Sequence, residues 1–111
     1  MLKSFSYAFR GVKDALKSEH NLRIHFLISI LVFIFAYFLK FSFIEFAILT
    51  ITVFFVITLE LINTIIEKIM DITSPEISEK VRVIKDISAT IVLFGAVASV
   101  IVGILLFAPK L

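Results

Sequence analysis

Three stretches of the chain are mainly apolar: 24–39, 42–68, whose last turns carry Glu60, Asn63, Thr64 and Glu67, and 87–108. Runs of this kind are expected to cross a bilayer as helices. A helix satisfies its backbone hydrogen bonds internally, and the hydrocarbon core offers no water to do so. The first run is shorter than the roughly 20 residues a crossing usually needs. Arg23 and Lys40 flank it, and both side chains can reach along the helix to the interfaces. A tight turn is expected near Lys40 and Phe41. The third run carries no charge and ends at Pro109 and Lys110. Gly95, Ser99 and Gly103 recur in it every fourth residue, a small-residue stripe that lets helix backbones approach closely.

The polar stretches have patterns of their own. Within 1–22, Phe5, Phe9, Val12 and Leu16 step by three or four, while Lys3, Arg10, Lys13 and Lys17 largely fall elsewhere on the wheel. This predicts an amphipathic surface helix over 3–20. Its basic face suits an anionic lipid surface, and packing on its own bundle is the equal alternative. With no apolar core before a small-residue cleavage site, the segment does not read as a signal peptide and is expected to stay on the mature protein. The 69–86 connection is polar, and Ser74, Pro75 and Glu76 read as a turn or a helix start. The whole of 1–111 reads as one all-α integral membrane domain.

Composition agrees with that class. Of 111 residues, 60% are hydrophobic, 13 are Phe, and the mean hydropathy is +1.11. A soluble domain this small could not hide so much apolar surface. There is no Cys, which excludes disulfide and thiolate chemistry, and a net charge of +2 is too small to argue for nucleic acid. The placement of charge says more. Lys3, Arg10, Lys13, Lys17, Arg23, Lys68, Lys80, Arg82 and Lys85 fall on one side of a three-span plan, and only Lys40 and Lys110 on the other. The positive-inside rule then predicts a cytoplasmic amino terminus and an outside carboxyl terminus.

The candidate chemistry sits at the end of the second run. Glu60, Asn63, Thr64, Glu67 and Asp71 fall within roughly 100° of arc on one helix. A solvated helix end explains Asp71 and suits Glu67, but not Glu60, which follows directly after the apolar run 53–59. A charge at that depth is costly unless it is paired, hydrated or bound to a cation, so a functional role is the better reading. Carboxylates seven residues apart can hold Mg²⁺ only together with other oxygens, such as phosphate and water. Glu19, at the inner edge of the first span, could supply a ligand from a second helix. A further, slightly deeper carboxylate could act as general base toward a hydroxyl. Lys85 and Asp86 lie at the inner end of the third span, with Arg82 just before. There Lys85 is either an interfacial anchor or a phosphate contact. No Walker A, kinase glycine-rich or dinucleotide-binding pattern is present. His20 and His25, five apart, read as interfacial polar residues and not as metal ligands.

The order Glu60, Asn63, Glu67, Asp71 and then the Lys85–Asp86 pair resembles the prokaryotic diacylglycerol kinase family. So do the upstream stretches around Tyr7, Arg10 and Gly11 and from Glu19 to His25, and the similarity covers nearly the whole chain. The resemblance implies a homotrimer with active sites between subunits on the cytoplasmic side of a bacterial inner membrane. It implies Mg²⁺-dependent transfer of the γ-phosphoryl group of ATP to a lipid hydroxyl. Position by position, it implies that Glu60 is the general base and that Glu19 and Glu67 bind metal. Tyr7, Glu19, Glu67, Glu76, Lys85 and Asp86 would contact nucleotide, while Arg23, Asn63 and Asp71 would line the lipid side and the site. Thr90 stands where Ala or Gly is usual, and a basic contact found upstream in some relatives has no counterpart.

One branch of that family phosphorylates diacylglycerol and the other prefers undecaprenol. The stretch Asn21, Leu22, Arg23, Ile24, His25 looks more like the second branch, so undecaprenol is the expected acceptor and diacylglycerol the alternative. A small transporter is the rival of another class. Exporters of this length have four spans and a mid-membrane Glu in the first, whereas three spans are expected here. A non-catalytic membrane subunit would leave the carboxylate stripe unexplained.

Overall fold

A computed structural model describes residues 1–73 and 78–111. The turn expected at Ser74, Pro75 and Glu76, and the nucleotide contact expected of Glu76, lie outside them. The described residues form four α-helices and no strand: α1 Leu2–Ser18, α2 His20–Phe38, α3 Phe43–Thr73 and α4 Glu79–Phe107, followed by a 3-10 turn Ala108–Lys110. The three longer helices are each long and apolar enough to cross a membrane. The chain is an all-helical membrane protein.

The helices outlast the apolar stretches that predicted them. α2 begins at His20 and not near residue 24, α3 runs on to Thr73, and α4 starts at Glu79, well before residue 87. Polar residues end an apolar run without ending a helix. Ser78 makes the earlier start of α4 possible, since its Oγ accepts from the Val81 N–H at 3.2 Å and caps the first turn. At 1.5 Å per residue, the 31 residues of α3 reach about 46 Å, past an apolar core about 30 Å thick. Measured from Phe43, Glu60 lies about 26 Å along, just inside that thickness, and Asp71 about 42 Å along, well outside it.

α1 and α2 are separate helices because Glu19 is extended, with φ −116° and ψ 107°. The carbonyls left open at the end of α1 are satisfied from the next helix. The Arg23 guanidinium donates to the Leu16 and Lys17 oxygens, both at 3.2 Å. α1 buries none of its residues in this single chain.

α2 and α3 are joined through Lys40, whose φ of 61° is left-handed. The start of α3 is closed reciprocally. The Glu45 N–H donates to Ser42 Oγ at 3.2 Å, and the Ser42 N–H donates to Glu45 Oε1 at 2.9 Å. Lys110 reaches the same carboxylate at 2.9 Å. Phe41 tucks beneath, with its ring 4.7 Å from Phe107 and 5.7 Å from Phe46. Ala36, Leu49 and Leu106 complete this small core.

α3 and α4 run antiparallel in close contact, and Gly95 shows how close. A Cβ added there would lie 2.6 Å from Leu59 Cδ1, whereas one added at Gly103 would meet nothing within 4 Å. The small-residue stripe therefore splits in two. Gly95 serves the α3–α4 contact, and Ser99 and Gly103 line a cavity of about 280 Å³ between α2, α3 and α4.

Candidate functional site

The polar stripe of α3 is graded in burial. Glu60 is 5% exposed and Thr64 5%, Asn63 and Glu67 are half-buried, and Asp71 is exposed. The gradient follows from packing, since His25 of α2 and Ser88 of α4 cover the stripe at Glu60 and Asn63, while Asp71 lies near the end of α3.

Neighbouring helices meet this stripe with polar groups. From α4, Ser88 Oγ donates to Asn63 Oδ1 at 2.6 Å, and Ser88 is itself only 1% exposed. Asn63 Nδ2 in turn lies 3.5 Å from Glu67 Oε1. One step outward, Lys85 Nζ donates to Asp71 Oδ1 at 2.9 Å. From the α1–α2 junction, Glu19 lies 3.7 Å from Lys68 Nζ, next in sequence to Glu67. From α2, His25 Nε2 lies 3.8 Å from Glu60 Oε2. Four separated parts of the chain thus converge on one end of the bundle.

The other expected site residues are placed differently. Tyr7 stands 63% exposed on α1, its ring partnered by Arg10 at 5.8 Å. Asp86 is exposed and paired with Arg82, 2.6 Å away, which also pairs with Glu79. The Arg23 guanidinium is engaged at the end of α1 and lies 3.5 Å from His20 Nδ1, so it joins α1 to α2 and, among the described residues, pairs with no carboxylate of the stripe. Thr90 bonds back to the Asp86 carbonyl at 3.0 Å, a local contact within α4.

His25 corrects the expectation that both histidines are merely interfacial. It faces the buried carboxylate, while His20 faces Arg23. Its position was readable from spacing. Leu22, His25, Ser29, Val32 and Ala36 step by three and four, and this face turns inward, with Leu22 and Ala36 fully buried. Polar residues on one face of an apolar helix belong inside a bundle. Ser88 was missed for a different reason, since a lone serine at the start of an apolar run carries no signal until its partner is known.

Glu19 and Glu67 offer hard carboxylate oxygens from two elements. Among the described residues, no three His, Cys, Asp or Glu side chains form a cluster able to enclose a metal by themselves. Mg²⁺ does not need one, since it commonly takes one or two carboxylates and fills its shell with phosphate oxygens and water. The donor set therefore fits Mg²⁺ in kind.

A helical membrane protein with a buried carboxylate at the inner end of a graded polar stripe is the class defined by this fold and site. The model of the prokaryotic diacylglycerol kinase family matches residues 6–107, and the chain belongs to that family. A Synechocystis protein named diacylglycerol kinase is 38% identical over 112 residues, covering 100% of this chain and 64% of that protein's length. A Bacillus subtilis protein named undecaprenol kinase is 34% identical over 109 residues, covering 98% of this chain and 89% of the relative.

Proposed function

We propose that the protein is a lipid kinase that transfers the γ-phosphoryl group of ATP to the hydroxyl of a membrane lipid alcohol. The observation that carries the reading is Glu60, a carboxylate only 5% exposed near the polar end of a helix long and apolar enough to span a membrane, with polar groups of other helices converging on its stripe. Family membership supports the reaction class.

Glu60 is the general base that takes the proton of the lipid hydroxyl as its oxygen attacks the γ-phosphorus. Glu19 and Glu67 would hold Mg²⁺, which would neutralise phosphate charge and help orient the nucleotide. Asn63, anchored by Ser88, fixes the Glu67 carboxylate, and Asp71 lines the outer site. Tyr7, Glu76, Lys85 and Asp86 contact the nucleotide, and Arg23 stands on the lipid side. Lys85 must leave Asp71 to reach phosphate; both are exposed enough for that exchange to be cheap. Phosphoryl transfer runs mostly on positioning and charge neutralisation, which explains how a site without a standard nucleotide fold can perform it.

Undecaprenol is the preferred acceptor in this reading and diacylglycerol the second. The stretch 21–25 favours undecaprenol, and its His25 meets Glu60. The amino terminus and site face the cytoplasm of a bacterial inner membrane. Nine of the 11 Lys and Arg lie toward this end, while Lys40 and Lys110 lie with Glu45 at the other. A homotrimer, with neighbours completing each site, would cover surface that one chain leaves open.

The test is a side-by-side assay of the purified protein with γ-labelled ATP, Mg²⁺ and either lipid in mixed micelles. Labelled undecaprenyl phosphate in excess over labelled phosphatidic acid is expected. Label in neither lipid would refute the kinase reading, and the reverse preference would move the acceptor to diacylglycerol.

A further inference from the structure

We infer that His25 is a positioning residue that keeps Glu60 available as a base and carries its proton away after each turnover. The inference rests on the kinase reading above and adds to it a residue on a different helix. A carboxylate that is only 5% exposed has little direct contact with water, so a proton it takes up has no direct way out. A general base must begin each cycle unprotonated. Having taken a proton, it must lose that proton to a group that reaches water.

His25 meets both needs. Its Nε2 is 3.8 Å from Glu60 Oε2, and its side chain is 33% exposed against 7% for that of Glu60. The imidazole is therefore the more accessible member of the pair, and it stands five residues from the polar start of α2 at His20. A movement of about 1 Å closes the gap to hydrogen-bond length, a tightening common when a substrate binds. An imidazole has two ring nitrogens, so it can accept a proton at one and release a proton from the other.

The remaining groups around Glu60 are otherwise engaged. On α3, Asn63 bonds Ser88 of α4 and faces Glu67, and Thr64 carries no titrating proton near neutrality. Lys85 of α4 pairs with Asp71, and Lys68 pairs with Glu19. Asp14 of α1 lines the neighbouring groove beside Thr64 and Lys68. His20 turns toward Arg23.

The proton path balances simply. The lipid oxygen bonds to the γ-phosphorus as the bond to the bridging β-oxygen breaks and ADP leaves, and the hydroxyl proton passes to Glu60. Glu60 then gives it to Nε2 of a neutral imidazole whose hydrogen sits on Nδ1. The imidazolium releases its Nδ1 proton to water, and a proton shift in the ring or from water restores the starting tautomer.

The test compares wild type, His25→Gln, His25→Ala and Glu60→Gln in mixed micelles at saturating MgATP and lipid alcohol, from about pH 5.5 to 8.5. We expect His25→Gln to lower kcat about tenfold or more at neutral pH, with KM for MgATP within about twofold, and to lose the acidic limb of the wild-type profile. Free imidazole is expected to restore turnover to His25→Ala and to do nothing for Glu60→Gln. That rescue would also show the variant to be folded. Wild-type kcat and pH dependence in His25→Gln, or no rescue of His25→Ala by imidazole, would overturn the role of His25 and leave the kinase reading standing. A wild-type protein that labels neither lipid would bring down both.

Discussion

The two ends of the helix bundle are built on opposite principles. At the Lys40 end, a few polar groups pair with one another around an aromatic core. Ser42 and Glu45 close the first turn of α3 on each other, Lys110 joins the same carboxylate, and the rings of Phe41, Phe46 and Phe107 fill the space beneath. At the Glu60 end, the polar groups come from four places in the chain and reach across helix boundaries: His25 to Glu60, Glu19 to Lys68, Ser88 to Asn63 and Lys85 to Asp71. A hairpin needs only the first kind of end. Within lipid there is little hydrophobic force between helices, so close packing and aromatic contacts hold such a turn, each aromatic pair giving about 0.5–1.5 kcal/mol. The second kind adds little to stability and places a charge at a costly depth. That expense is characteristic of a site.

Substitutions should separate the two ends, and the largest effect belongs to Glu60. Glu60→Gln keeps the size and removes the base, so lipid phosphorylation should fall by about 100-fold or more with the fold retained, as read by γ-label transfer beside a thermal melt in detergent. Near-normal turnover would take Glu60 out of the chemistry. Glu67→Ala comes next; it should abolish activity or raise the Mg²⁺ concentration needed for half-maximal rate, and a metal titration that overlays wild type would argue against its ligand role.

Between the ends, the α3–α4 contact is expected to respond by position. Gly95→Ile forces side-chain volume against Leu59 and should cost about 1–3 kcal/mol. Gly103→Ala meets open space and should stay within about 0.5 kcal/mol. Equal effects in a denaturant titration would show that the helices do not approach at Gly95 as described. A change in the opposite direction is expected at the turn. Lys40→Gly relieves a left-handed backbone and should stabilise by up to about 1 kcal/mol without altering turnover. A drop in activity there would couple the two ends in a way the packing does not suggest.

Much of this was legible along the chain. Three apolar runs implied three crossing helices, and the recurrence of Glu60, Asn63, Thr64 and Glu67 at helical spacing put them on one face before any packing was known. The unusual place of Glu60 was legible as well, because it follows the largely apolar run 53–59, and the structure buries it while leaving Asp71 exposed. Helix ends were harder. His20 and Glu79 begin helices that hydropathy placed later, since hydropathy reports where a chain can meet lipid and not where its hydrogen-bonded ladder stops. The inward turn of His25 was available from the spacing on α2, and it is lost when the two histidines are compared only with each other.

The order of residues alone determined the class of protein, the number of crossings and the face of α3 that carries charge, because these depend on periodicity and on the cost of polar groups in lipid, both local properties. Only the tertiary structure decided which partner each polar group has: His25 for Glu60, Ser88 for Asn63, Lys85 for Asp71, and Arg23 for the end of α1 and not for the stripe. Pairing across helices depends on how the helices dock and at what register. That is set by close contacts such as Gly95 against Leu59, which no single segment can specify by itself.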